Sequence, residues 1–197
     1  NNDSCPAWPA AKLMPLVGPL FFGTEPRPCR IRNAVQNTNI YLEYNGDQIA
    51  TKTAISSNDQ TAYTYDGDGL VVKATRTQAS GTSVTTYQYT ADSLTLTTES
   101  SGATSTQTYK LDAQGYPTIL TISPPQEGQP VRFVHEYENC KLVRLVAYNA
   151  DGSVNNDISA EYYYNADTGR IDERYAPKDD QIYGYFDADG KCVMPSS

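Results

Sequence analysis

Apolar and polar residues alternate with a period of two along much of the chain, as in a β-strand with one buried face. Tyr63 and Tyr65 flank Thr64, and residues 131–137 continue the same alternation. Between the alternating runs lie short clusters rich in Asn, Asp and Gly, which favour tight turns. No long window has the apolar spacing of a capped helix. The pattern therefore predicts an all-β protein.

One degenerate unit recurs seven times: a Tyr-x-Tyr segment, in which Leu or another residue can replace a tyrosine, then a turn cluster, and then an aliphatic run. The units occupy residues 42–49, 63–70, 87–94, 109–116, 135–142, 162–171 and 184–191. Each unit is typical of a β-hairpin. Seven hairpins predict about fourteen antiparallel strands in a meander, in which neighbours in sequence are neighbours in the sheet.

A twisted sheet of this width must curl or close, and a round barrel of fourteen strands is too wide for its own side chains to fill. We expect a flattened barrel, a plugged barrel or a strongly curved sheet. Residues 1–35 form a Pro-rich segment that carries many apolar side chains. We expect this segment to pack on or plug a hairpin-repeat region of residues 36–197, the two parts making a single domain.

Composition indicates what fills the core and which partners are disfavoured. The chain has 16 Tyr but only 4 Phe, so tyrosine rings are expected to build the core. The net charge of −8 argues against nucleic acid and against an anionic membrane surface. The face opposite the tyrosines carries polar residues such as Thr64, Lys110 and Glu136, which argues against a membrane-spanning protein.

The four cysteines are widely spaced and do not form a CxxC motif, which disfavours a zinc site. An even number predicts two disulfides in an oxidising compartment, and unrelated buried thiols are the alternative. Of the three possible pairings, we favour Cys5–Cys29, which would leave Cys140–Cys192.

The unit Tyr63–Gly69 resembles the YD repeats, which are β-hairpin repeats of bacterial Rhs-type surface and toxin-shell proteins. The chain is also similar to secreted bacterial proteins of unknown function that have a porin-like β fold. The resemblance covers about residues 40–194. The motif is degenerate, with Thr90 and Glu138 in place of Asp, and Ser93 and Lys141 in place of Gly. The resemblance implies an architecture and supplies no catalytic residue.

The polar start, Asn1–Ser4, resembles the tether that follows the lipid-bearing cysteine of bacterial lipoproteins. With the expected disulfides, this predicts an extracytoplasmic protein. The protein would be periplasmic, secreted, or held at the outer membrane by a lipid.

Catalytic chemistry is poorly supported by the sequence. His135 is the only imidazole, and its alternation with Phe133 and Tyr137 favours a packed histidine. Glu136 and Glu138 imitate a glycosidase pair, but acids are common on exposed strand faces. We expect no enzyme activity, no catalytic residue and no cofactor.

Asp66–Gly69, Asn165–Asp167 and Asp187–Gly190 resemble the start of a calcium loop, and Asp187 and Asp189 are the candidates for weak calcium binding. The twelve-residue spacing and the flanking helices of an EF-hand are missing. Turn chemistry accounts for both acids, so we expect at most weak calcium binding.

Tyrosines in the last two units are the candidate ligand-binding residues: Tyr163, Tyr164, Tyr183 and Tyr185. Exposed rings would offer stacking surfaces to sugars, whereas buried rings would be core. Because consecutive strand residues alternate in direction, Tyr163 should point away from its two neighbours.

These features predict a non-enzymatic structural or ligand-binding protein of the cell envelope or exterior, with a glycan or an envelope protein as its partner. Two alternatives stay open. The first is a carrier that encloses a small apolar ligand, and the second is a glycan-processing enzyme.

Overall fold

The computed structural model describes residues 5, 28–33, 38–55, 57–164, 166–167 and 181–194. These residues form fourteen strands and contain no helix, which confirms the all-β prediction. The strands are β1 (Pro28–Asn33), β2 (Thr38–Asn45), β3 (Gln48–Ala54), β4 (Asp59–Tyr65), β5 (Val71–Gln78), β6 (Gly81–Tyr89), β7 (Ser93–Ser100), β8 (Ala103–Leu111), β9 (Pro117–Ser123), β10 (Arg132–Glu138), β11 (Lys141–Tyr148), β12 (Ala160–Glu161), β13 (Gln181–Phe186) and β14 (Cys192–Val193).

All fourteen strands belong to one antiparallel sheet, in which β1 to β12 are neighbours in chain order. The predicted meander is therefore confirmed. The last hairpin departs from chain order, because β13 pairs with β1 and not with β12. Among the described residues the sheet ends, β12 and β14, do not pair with each other, so the sheet is open. Each end strand is only two residues long, which limits the edge available to other chains.

The core lies on one face of the sheet and forms a single cluster that reaches from β1 to β13. Ile49, Val71, Leu94 and Leu142 are fully buried, and each lies at or near the start of the strand after a turn. Twelve of the 16 tyrosines belong to this cluster. The tyrosine rings thus supply most of the aromatic core, as the scarcity of Phe predicted.

The turn acids bind the backbone of their own turns. In the turn between β4 and β5, the Asp66 carboxylate accepts hydrogen bonds from the backbone N–H groups of Asp68 (2.9 Å) and Leu70 (3.0 Å). Gly69 follows with a φ of 80°, which a β-carbon would strain. Asp112 and Asp187 bind their turns in the same way. This geometry explains the Asp and Gly of these three units.

Five strands carry a one-residue irregularity of register near the start of the strand, and we interpret each as a β-bulge. The bulged residues are Cys29, Ala50, Val72, Thr118 and Val143. Each bulged residue directly follows the first fully buried residue of its strand. The strand β7 pairs with β6 without such a shift.

A tyrosine hydroxyl binds the backbone carbonyl just before every one of these bulges. Tyr65 donates to the carbonyl of Ile49 at 2.6 Å, and four more pairs repeat the contact across neighbouring units. The other pairs are Tyr44 with Pro28, Tyr89 with Val71, Tyr137 with Pro117, and Tyr164 with Leu142. Strand β7 has no such bulge. The unit that follows it has Leu111 at the position where these five units have the tyrosine. The hydroxyl therefore adds a side-chain hydrogen bond to the backbone at each of these bulges.

The four cysteines form two disulfides, as predicted, but the favoured pairing is wrong. The bonds join Cys5 to Cys140 and Cys29 to Cys192. Cys29 is the bulged residue of β1, and the hairpin β13–β14 folds back beside that strand. Their Cα atoms therefore come within 5.9 Å although 163 positions separate them in sequence. The favoured Cys5–Cys29 bond would tie down the Pro-rich segment, whereas the return of the last hairpin brings Cys192 to Cys29 instead.

The predicted packing of the segment 1–35 falls mostly on residues outside the described ones. Of its first 27 residues only Cys5 is described, and Cys5 is buried in the core cluster. The described residues include no helix long and apolar enough to cross a membrane.

Candidate functional site

A concave site with a volume of about 820 Å³ lies at the β12 end of the sheet, over β10, β11 and β12. Its lining residues come from four parts of the chain: Asp112, Thr118, His135, Glu136, Tyr137, Glu138, Val143, Arg144, Glu161, Tyr162 and Tyr163. We call this site the edge cleft. Strand register places Glu136 opposite Arg144, and Arg144 opposite Glu161. The three charged side chains therefore cross the cleft in one row.

The row is connected by weak, solvent-exposed contacts. The Arg144 Nε lies 3.5 Å from Glu136 Oε2, and about half of each side chain is exposed. Tyr163 donates a hydrogen bond from its hydroxyl to Glu161 Oε2 at 3.1 Å. That contact raises the pKa of the Tyr163 hydroxyl, because ionisation would place two negative charges side by side. Exposed ion pairs add little stability, so these groups can exchange their partners for a ligand.

Four carboxyl side chains and one guanidinium line the edge cleft: Asp112, Glu136, Glu138, Glu161 and Arg144. The Asp112 carboxylate already accepts two backbone hydrogen bonds in its turn. The remaining acids still outnumber Arg144 by three to one. This balance disfavours an anionic ligand and suits one that donates hydrogen bonds.

The structure places the four candidate tyrosines in different environments. Tyr163 has 52% of its surface exposed and lies in the edge cleft, whereas Tyr162 is buried and Tyr164 is half-buried. The predicted opposite direction of Tyr163 is thus confirmed. Tyr183 and Tyr185 are both buried in the core on β13. Among the four candidates, only the Tyr163 ring offers an exposed face of that size.

His135 is a buried member of the cleft lining, with 8% of its surface exposed. Its Nδ1 atom has no hydrogen-bond partner. Burial lowers the pKa of His135 to about 4, although nearby backbone groups of Thr118 and Phe133 oppose the shift. The imidazole is therefore neutral at pH 7. Strand register places it opposite Leu145, which packs against the core.

The calcium candidates serve the turn between β13 and β14. Asp187 accepts hydrogen bonds from the backbone N–H groups of Asp189 (2.9 Å) and Lys191 (2.8 Å). Over the described ranges, no three His, Cys, Asp or Glu side chains are close enough together to hold a metal ion.

Sequence reasoning identified Tyr163, Glu136 and Glu138, and the structure brings all three into the edge cleft. It missed Arg144 and Glu161. Their only sequence signal is a charged residue at an outward position, which is common on any exposed strand. Only the register of β10, β11 and β12 shows that the two side chains meet.

Comparison of the chain with protein-family models gives no match, and comparison with curated proteins gives no significant relative.

Proposed function

We propose that the protein is a non-enzymatic binding protein of the bacterial cell envelope or exterior, which holds a glycan in the edge cleft. The observation that carries the proposal is the exposed Tyr163 ring beside the hydrogen-bonding row of Glu161, Arg144 and Glu136.

The chemistry of the cleft suits a sugar. An aromatic ring with a polar tip offers an apolar face for stacking on a pyranose and a hydroxyl for hydrogen bonding. Glu161 and Glu136 can accept hydrogen bonds from sugar hydroxyls, and Arg144 can donate to ring and hydroxyl oxygens. The excess of carboxylates favours neutral or amino sugars over acidic ones.

The two disulfides support an oxidising environment, which is typical outside the cytoplasm. We propose a periplasmic, lipid-anchored or secreted location. We also propose that the hairpins are degenerate YD-type repeats that act as a rigid support for the cleft.

Substitution of Tyr163 tests this function. The probes are neutral cello-, malto- and chito-hexaose together with the glucosamine hexamer, titrated by calorimetry into the full chain. We expect at least one of them to bind, and Tyr163→Ala to weaken that binding about tenfold through loss of the stacking face.

Tyr41→Ala is the matched control, because Tyr41 is also an exposed strand tyrosine but lies on β2, outside the cleft. The control should bind like the parent. The proposal fails if the parent binds none of the four probes, or if both variants lose binding equally.

A further inference from the structure

A second, smaller cavity lies at the inward positions of β2 to β5 and has a volume of about 220 Å³. Its lining residues are Ile40, Lys52, Ala54, Asp59, Thr61 and Arg76. We call it the inner pocket. Two rows of register-paired residues build it. One row joins Ile40, Ala54 and Asp59, and the other joins Lys52, Thr61 and Arg76.

The bulges explain why charged residues face inward here. Strict alternation from buried Ile49 would turn Lys52 away from the core face. The extra residue Ala50 reverses the alternation, so Lys52 lies opposite Leu42, a core residue. The bulge at Val72 has the same effect on β5 and places Arg76 on this face.

Arg76 and Asp59 neutralise each other inside the inner pocket. Both Asp59 oxygens accept hydrogen bonds from the Arg76 guanidinium, with Nε at 2.9 Å from each. Gln78 adds a third, longer contact to the same carboxylate. The Arg76 hydrogen bond is the largest of the effects that hold the pKa of Asp59 below its usual range. The carboxylate is therefore fully engaged by these two side chains.

With Asp59 and Arg76 paired, Lys52 carries the remaining charge of the inner pocket. It is partly buried, and its ammonium makes no hydrogen bond or ion pair with any residue in the described part of the chain. Burial and the neighbouring Arg76 both lower the pKa of Lys52, while Asp59 opposes them. A partly buried cation without a protein acceptor is incompletely solvated, and an anion placed beside it would supply the missing hydrogen-bond partner.

The size and lining of the inner pocket restrict the anion. The pocket volume is that of roughly seven water molecules in liquid water. This volume is larger than that of a small inorganic oxyanion. Ile40 and Ala54 supply apolar surface next to the cation. The half-exposed side chain of Arg76 marks the side that is open to solvent.

We propose that the inner pocket binds a monocarboxylate with a short aliphatic chain, with its carboxylate on Lys52 and its chain against Ile40 and Ala54. This site is separate from the edge cleft and does not depend on glycan binding.

Calorimetric titration with sodium hexanoate tests the proposal. We expect one molecule of hexanoate to bind per chain, and Lys52→Met to weaken binding about tenfold or more, because it removes a charged hydrogen bond but keeps the aliphatic stem. Lys73→Met is the matched control. Lys73 is an exposed lysine on β5 that lies opposite Thr64, and this variant should bind like the parent.

Two comparisons on the unaltered protein keep the test independent of how well the variants fold. Hexanamide, which lacks the charge, and inorganic phosphate, which lacks the chain, should each bind more weakly than hexanoate. Absence of hexanoate binding by the parent overturns the site. Equal binding of hexanoate by a folded Lys52→Met, or of hexanamide by the parent, overturns the role of Lys52. Tighter binding of phosphate overturns the carboxylate assignment.

Discussion

At the scale of single residues, the tyrosine hydroxyl is the most informative group in the chain. A bulge locally disrupts the ladder, and a buried carbonyl that loses a hydrogen-bond donor is destabilising. Five tyrosines bind such carbonyls, and the unit with Leu111 follows the strand that has no bulge. The second aromatic of five repeats thus has a polar role in addition to packing. Burial raises the pKa of Tyr65 to about 12, so this hydroxyl remains a donor at pH 7.

Removing one such hydroxyl should destabilise the fold. We expect Tyr65→Phe to lower the free energy of unfolding by about 1–2 kcal/mol, because the ring remains while the Ile49 carbonyl loses its donor. Urea unfolding at pH 7 measures this. Tyr109→Phe is the control, since Tyr109 packs against the same core and its hydroxyl has no hydrogen bond to any residue of the described ranges, so the change in stability should be less than about 0.5 kcal/mol. Equal losses in the two variants would contradict the role of the hydroxyl.

His135 predicts a second residue-scale effect, on the pH dependence of stability. The folded pKa of about 4 lies below the ordinary value of 6.5, so the unfolded chain binds a proton first as the pH falls. The contribution of neutral His135 is complete above pH 6.5 and decreases as the pH falls towards 4.

The variant His135→Leu isolates that contribution, because His135 is the only histidine and the carboxylates titrate in both proteins. Between pH 7.5 and pH 4.5 the parent should lose about 2 kcal/mol more stability than the variant. Chemical unfolding at the two pH values measures the difference. Parallel losses would show that the imidazole is not buried in its neutral form.

At the scale of the hairpin element, the turn acid and the bulge act together at one end of each unit. The Asp carboxylate organises the turn, the next residues enter the core, and the bulge follows. We expect Asp66→Ala to destabilise the protein by about 1 kcal/mol, because two backbone N–H groups lose their acceptor. Asp68→Ala, in the same turn, should be nearly neutral. Thermal unfolding of both variants tests this, and a larger loss for Asp68→Ala would contradict the assignment.

The hairpins could be predicted from sequence because their signals are local: alternation, turn residues and spacing. The bulges could not, since one extra residue such as Ala50 leaves no mark in composition. That single displacement determines whether Lys52 faces solvent or core. The inner pocket was therefore invisible to sequence reasoning, whereas Tyr163 could be predicted from three consecutive tyrosines.

At the scale of the whole molecule, the last hairpin returns to the first described strand, because β13 pairs with β1. Twelve strand spacings separate β12 from β13, which corresponds to roughly 58 Å in a flat sheet. Twisted sheets of this width curl rather than stay flat. This return of the last hairpin was not predictable, because no local pattern distinguishes β13 from the preceding strands.

Disulfide mapping tests the return of the last hairpin most directly. The unreduced protein is digested, and the linked peptides are identified by mass spectrometry. The structure predicts one peptide pair that links Cys29 to Cys192 and another that links Cys5 to Cys140. Recovery of Cys5–Cys29 with Cys140–Cys192 would show that β1 and β14 are not held together, and would contradict the sheet order on which this account depends.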